Sequence, residues 1–360
     1  MKNNVLSLLL CSTLTASFSV ASVESTSTPT LEPESKLLKS FTGAQPLKRQ
    51  EPRYSVNAAR GGGEGWVVMS FVVDVEGNVL EPKIVDSSGV REFERAALGA
   101  VKNWKYQPAT MDGKPIQQCA NKVQLDFYLS DSPQGARRKF KRDYSVLREL
   151  VNAQKSDEAE AKFIELKASR DLWNGYENTW YWLMGSQISA LKQDSTEEVR
   201  RLNRALFSHN SKAYLGEDTW LAFQTRLFQL EANSGDYHAA QQIFKKIEEA
   251  EFAKVKAEEL RPYVEQMQAN IEGPHPLKTQ GTLNDNGQWW HTLNRDYFSF
   301  ASATGGKVES IDIRCDAQHN VFTFDLNSAW KIPESWGQCS VLVQGEPNTQ
   351  VALIELPPQA

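Results

Sequence analysis

Hydrophobic positions change period three times along this chain. Between 67 and 75 they alternate, with Val67, Met69, Phe71 and Val73 on one side and Val68, Val72 and the polar positions on the other. A period of two predicts a strand lying on a core. Glu76-Gly77-Asn78 then makes a tight turn, because Gly reaches positive φ without a Cβ penalty. Residues 79–85 return as a second strand, which Ser87-Ser88-Gly89 breaks. From Glu92 the period becomes helical, through Phe93, Ala96, Ala97, Ala100, Val101 and Trp104. Pro108 forbids further helix, and Asp112-Gly113-Lys114-Pro115 is another turn. Residues 122–129 alternate Val123, Leu125, Phe127 and Leu129, which predicts a third strand. The expected unit is ββαβ, one helix on a small sheet.

Residues 132–136 form a break, and the basic run 137–142 reads as the solvated first turn of a helix. Helical spacing then persists over 137–270. Gly235-Asp236-Tyr237-His238-Ala239-Ala240 followed by Ile243, Phe244 and Ile247 has the phrasing of a tetratricopeptide-like helix pair, and 156–164 echoes it; a generic helical bundle is the alternative. Past Gly273-Pro274-His275-Pro276, short apolar runs punctuated by Gly, Asn and Asp predict an all-β sandwich or small barrel over 280–357. The fold class is therefore α+β multidomain: a small ββαβ domain at 49–131, an all-α helical-repeat middle and an all-β C-terminal domain.

The N-terminus changes the picture of where this protein works. Lys2, an apolar run diluted by Ser and Thr, and Ser19-Val20-Ala21 read residues 1–21 as a cleaved secretory signal. The alternative is an uncleaved anchor; Leu10 disfavours a lipid anchor at Cys11. Residues 22–48, rich in Ser, Thr and Pro, read as a disordered linker. Cys315 and Cys339 share one strand-rich region, so a disulfide between them is expected, with two buried free thiols as the alternative. Cys119 is left over as a buried thiol. A formal charge of −5 gives no reason to expect nucleic acid as a partner.

Two alternating runs and a helix ending in Trp104-Lys105-Tyr106-Gln107-Pro108, with Glu64-Gly65, Phe71, Asp74, Gly77 and Phe93-Glu94-Arg95, resemble the C-terminal domain of the TonB family over about 80 residues. The resemblance implies a periplasmic adaptor that holds outer-membrane transporters. In that family a transporter segment, the TonB box, adds as a strand to the open edge of the sheet. The matching positions here are Val123, Gln124, Leu125, Asp126 and Phe127 on the third strand, and Gln50, Arg53 and Tyr54 before the first. The implied role is energy-dependent uptake, for example of iron complexes, in the periplasm or from an inner-membrane anchor facing it. The alternative is an envelope scaffold whose helical repeats capture a protein partner. The chain departs from the family pattern at Tyr54-Ser55, where Tyr-Pro is usual, and by continuing more than 200 residues past the domain. None of its His residues (209, 238, 275, 291, 319) falls in the N-terminal apolar segment, so inner-membrane motor proteins would be reached only indirectly. A homodimer through the sheet edge is compatible with this reading.

Catalytic patterns do not develop. Arg60-Gly61-Gly62-Gly63-Glu64-Gly65 lacks the Lys-Ser/Thr of a phosphate loop and precedes a strand. No His-x-x-x-His, Cys-x-x-Cys or Gly-x-Ser-x-Gly spacing occurs. The reading is a non-enzyme with no cofactor and no metal.

Overall fold

The computed structural model describes residues 41–129, 135–168, 172–208 and 210–357. The expected signal at 1–21 and linker residues 22–40 lie outside them.

Short strands β1 (Phe41–Thr42) and β2 (Gln45–Lys48) open the described chain. They precede helix α1 (Val56–Gly61), strands β3 (Gly65–Val73) and β4 (Val79–Ser87), and helix α2 (Arg91–Val101). Strands β5 (Lys105–Gln107), β6 (Ala109–Met111), β7 (Lys114–Ile116) and β8 (Gln118–Phe127) complete this region. The main sheet is antiparallel in the order β4-β3-β8. Residues 41–48 therefore correct the expected linker: β1 pairs with β6, and β2 with β5. These ribbons are exposed, so they carry no apolar period by which the sequence could announce them.

The β3–β4 turn needs its glycine. Gly77 has φ 79°, and a Cβ there would lie 1.8 Å from the Tyr106 carbonyl oxygen. Asp74 secures the turn by accepting from the backbone N–H of Glu76 and Asn78. One face of β3 packs Val67, Met69, Phe71 and Val73 against Phe93, Ala97 and Val101 of α2. Phe93 and Phe127 stack there with centroids 4.3 Å apart. Burial of each such ring contributes about 2 to 3 kcal/mol.

The other face of β3 is also covered, since all nine of its residues are buried. What covers it comes from far along the chain. The middle region comprises α3 (Arg138–Asn152), α4 (Ser156–Ala168), α5 (Gly175–Leu191), α6 (Ser195–Leu206), α7 (Ser211–Leu215), α8 (Glu217–Ser234), α9 (Tyr237–Glu249) and α10 (Lys254–Glu272) around one apolar core. Asn174, Asp194 and Asp236 accept backbone N–H bonds at the starts of α5, α6 and α9. Just past α6, Phe207 packs its ring 5.4 Å from Trp66 on the second face of β3.

The last region runs β9 (Leu277–Thr282), β10 (Gln288–Thr292), β11 (Tyr297–Thr304), β12 (Val308–Cys315), β13 (His319–Thr323), β14 (Ala329–Lys331), β15 (Cys339–Gly345) and β16 (Gln350–Glu355). Sheets β10-β15-β12-β13 and β14-β11-β16-β9 enclose a common core that includes Phe298, Phe300, Ile311, Ile313, Val341 and Leu353. This is a β-sandwich. Cys315 and Cys339 are cross-strand partners joined by a disulfide. Cys119 is free and buried.

Candidate functional site

Strand β8 stands at the edge of the sheet, bonded to β3 along one side only. An edge strand offers a row of outward backbone N–H and C=O groups. At one end this row is already occupied, because Cys119 N–H donates to the Asp316 carbonyl at 3.0 Å. From Lys122 to Phe127 no described strand pairs with the outer side.

The side chains of β8 face away from that edge. Val123 and Leu125 pack into the α2 core, and Phe127 is buried in it. Gln124 and Asp126 lie on the second face, opposite Val68 and Trp66. Gln124 Nε2 donates to Asp126 Oδ1 at 2.7 Å and to the Phe207 carbonyl at 2.9 Å. Of the residues before β3, Gln50 accepts at its carbonyl from Trp104 Nε1 at 2.8 Å, and Arg53 is exposed. The Tyr54 ring lies 5.6 Å from Phe93 and 6.1 Å from Phe127, and its hydroxyl donates to the Gly63 carbonyl. Burial, with the nearby Glu64 carboxylate, raises that phenol to about 12. The structure thus brings Tyr54 and Phe127 together as packing, while Gln50 and Arg53 remain at the surface.

Several residues that hold this site had no sequence signal. Arg49 donates to the Tyr106 hydroxyl at 2.9 Å and lies over the Trp104 and Tyr106 rings. Glu64 is buried: Oε1 accepts from Leu129 N–H just after β8, and Oε2 from Gly175 N–H at the start of α5. One carboxylate thereby ties the sheet to the helical region. Arg137, read as a solvated charge, instead pairs with the buried Glu177 and donates to the carbonyls of Gly61 and Leu172. The reason is its place at the α3 start, facing α1 across the regional boundary.

The β-sandwich is fastened to β4 by a second cluster. Lys83 Nζ reaches Asp312 at 2.6 Å and Gln344 at 3.0 Å. Arg314 and His319 also bond Asp312, and Arg314 donates to the Glu81 carbonyl. Burial would raise the Asp312 carboxyl, but bonds from His319, Arg314 and Lys83 hold it well below the carboxylate range. Glu81, Asp312 and His319 bring ligand atoms within 4.8 Å of one another. A metal ion would have to displace both cations already on Asp312, so the cluster is better suited to an ion-pair lock.

A third junction joins α9 to the sandwich. His291 is 1% exposed, with Nδ1 3.3 Å from Asp236 and Nε2 3.1 Å from Glu355. Glu355 also accepts from the backbone N–H of Asn294 and Arg295. Burial alone would lower the imidazole, but Asp236 and Glu355 carry it to about 10, so it is charged at neutral pH.

A β4-β3-β8 sheet with α2 on one face and an open edge at β8 defines the class: a small α+β module of the TonB C-terminal kind. Residues 50–129 match the family described as Gram-negative bacterial TonB protein C-terminal. The chain therefore carries a TonB C-terminal domain. It is 36% identical over 66 residues to Protein TonB of Vibrio cholerae serotype O1, covering 18% of this chain and 27% of that one. Protein TonB of Xanthomonas campestris pv. campestris is 35% identical over 74 residues, covering 21% of this chain and 32% of that one. The chain thus spans about a third or less of the length of these curated relatives. Among solved structures, the TonB2 protein from Vibrio anguillarum is similar at 42% identity, over 25% of this chain and 84% of that one, with a TM-score of 0.21. The TonB C-terminal domain of Pseudomonas aeruginosa is similar at 23% identity, over 27% and 92%, also with a TM-score of 0.21. Among the described residues, no helix is long and apolar enough to cross a membrane.

Proposed function

We propose that this chain is a periplasmic TonB-family adaptor that binds outer-membrane transporter segments by strand addition at β8. It would assist energy-dependent uptake, for example of iron complexes. The observation that carries this reading is the edge position of β8 within a TonB C-terminal domain, with no described strand paired outside Lys122–Phe127. Backbone hydrogen bonds would supply the affinity, which suits an edge whose side chains are engaged elsewhere. The test is an NMR titration of the full chain with a TonB-box peptide. The full chain is needed because a fragment would uncover Trp66, Val68 and Val72 on the second face. Shifts confined to Gln50–Tyr54 and Lys122–Phe127 support strand addition. A saturated spectrum without shifts at millimolar peptide removes it.

One observation favours a second reading, a scaffold whose helical region captures a protein partner. A groove of about 570 Å³ lies between α8 and α10, lined by Gln229, Asn233, Tyr263 and Gln266 among others. Its amides can both donate to and accept from a peptide backbone. Under that reading, Asn233→Asp with Gln266→Glu abolishes partner capture and leaves peptide binding at β8 intact.

A further inference from the structure

The open half of β8 does not face empty solvent on both sides, because α9 runs along it. The register with β3 puts Lys122 and Gln124 on the sheet face turned away from α2. At one end of α9, Lys122 lies within electrostatic reach of Asp236 and His238. At the other end, the Lys246 ammonium sits 4.8 Å from the centre of the Phe207 ring. The carbonyl of that same Phe207 holds Gln124 of β8. Helix α9, about 20 Å long at 1.5 Å per residue, therefore follows the strand over the stretch that has no partner strand. His238, Gln242 and Lys246 repeat at i, i+4 and i+8, so they share one face of the helix. Lys122, Gln242 and Lys246 are exposed, and His238 is half-buried.

The charge along this flank lacks a counterpart. Surrounding protein desolvates both lysines and lowers each below the ordinary lysine range. At Lys246 no anion offsets that burial. At Lys122 the offsetting group is Asp236, whose carboxylate already bonds His291 and the N–H of Ala239. Two ammonium groups thus remain beside an unpaired strand edge.

We propose that β8 and the α9 flank form one slot, and that the segment it takes is an extended strand carrying a carboxylate side chain toward Lys122 and Lys246. The proposal rests on the strand-addition reading and adds what the edge alone does not supply, which is selection by side chain. Backbone pairing at β8 is indifferent to sequence, whereas a carboxylate placed at the slot gains charge-assisted hydrogen bonds in a partly desolvated setting. The helical region thereby becomes part of the binding site.

The experiment uses the full chain and blocked ten-residue Val/Thr peptides with one Asp scanned through alternate positions, each matched by its Asn counterpart. Binding is read by fluorescence polarisation, and folding of every variant by its NMR spectrum. The expected result is an Asp position that binds about tenfold more tightly than its Asn counterpart. In the Lys122→Gln, Lys246→Gln double variant that ratio falls to about one. Lys122→Arg with Lys246→Arg retains it, since a merely structural role of the stems would not distinguish Gln from Arg. If every Asp peptide matches its Asn counterpart, or if the ratio survives in the double Gln variant, the slot is overturned while strand addition stands. If no peptide binds the folded chain at all, strand addition falls and the slot with it.

Discussion

Replacing His291 by Ala should destabilise this protein far more than the loss of one ring's packing, and the penalty should depend on pH. In the folded chain the imidazolium bridges Asp236 of the helical region and Glu355 of the sandwich, all but sealed from solvent. Removing it leaves two carboxylates facing an uncompensated site, which typically costs about 3 to 5 kcal/mol. The titration gives a consistent figure. The group rises from 6.5 to about 10 on folding, and about 1.4 kcal/mol per unit places the ceiling near 5 kcal/mol. Because the folded value lies above the unfolded one, this stabilisation is complete below pH 6.5 and is lost as the pH climbs through about 10. Denaturant unfolding followed by Trp fluorescence, on wild type and His291→Ala at pH 6, 8 and 10.5, measures it. The gap between the two proteins should be about 3 to 5 kcal/mol at pH 6 and shrink to about 1 at the alkaline end, where only the neutral contacts remain. A gap that stays constant across this range would show that the site binds a neutral imidazole and refute the reasoning.

Burial, with Asp236 nearby, raises Glu231 to about 8. Its folded value also exceeds the unfolded one, so ionisation erodes stability as the pH rises from 4.5 to about 8. Glu231→Gln should therefore raise the unfolding midpoint at pH 8.5 by an amount worth about 1 to 3 kcal/mol and leave it nearly unchanged at pH 4, as calorimetry can check. Gly77→Ala should cost well over the ~1 kcal/mol of an ordinary glycine replacement, because both the positive φ and the Tyr106 carbonyl oppose a Cβ; a midpoint shift within error would contradict the turn geometry. The Cys315→Ser, Cys339→Ser pair should lose about 3 to 4 kcal/mol from opening a loop of 24 residues, and wild type measured in reductant should show the same loss.

The sequence was informative where the physics is local. Alternation in β3, the helical spacing of α2 and the glycine at 77 each follow from neighbours within a few residues, so the β4-β3-β8 sheet and its helix were legible. The second face of β3 was not. Val68, Ser70 and Val72 look like a half-solvated strand face, and Phe207 and Asp312, which help close the neighbouring surface, lie more than 130 residues downstream. The same distance hid the Glu64 bond to Gly175 and the bridge at His291. At the candidate site, likeness to a family located the edge strand, but it could not say that Tyr54 would be spent on packing against Phe93. The role of α9 was equally invisible, since its spacing is that of any amphipathic helix.

The placement of the three thiols carries a consequence for how the chain reaches this state. Cys119 emerges first and comes to rest with its N–H on Asp316, next in sequence to Cys315. Oxidation of an unfolded chain could therefore join it to either later cysteine. Closing the native loop spans 24 residues, whereas the wrong loop to Cys315 is about eight times longer. Loop entropy alone favours the native bond by about 2 kcal/mol, or roughly twentyfold. Once β8 pairs with β3, burial raises the Cys119 thiol and withholds the thiolate that exchange requires. The order of events is thus self-correcting: whichever bond forms first, folding of the sheet retires the odd cysteine from the contest.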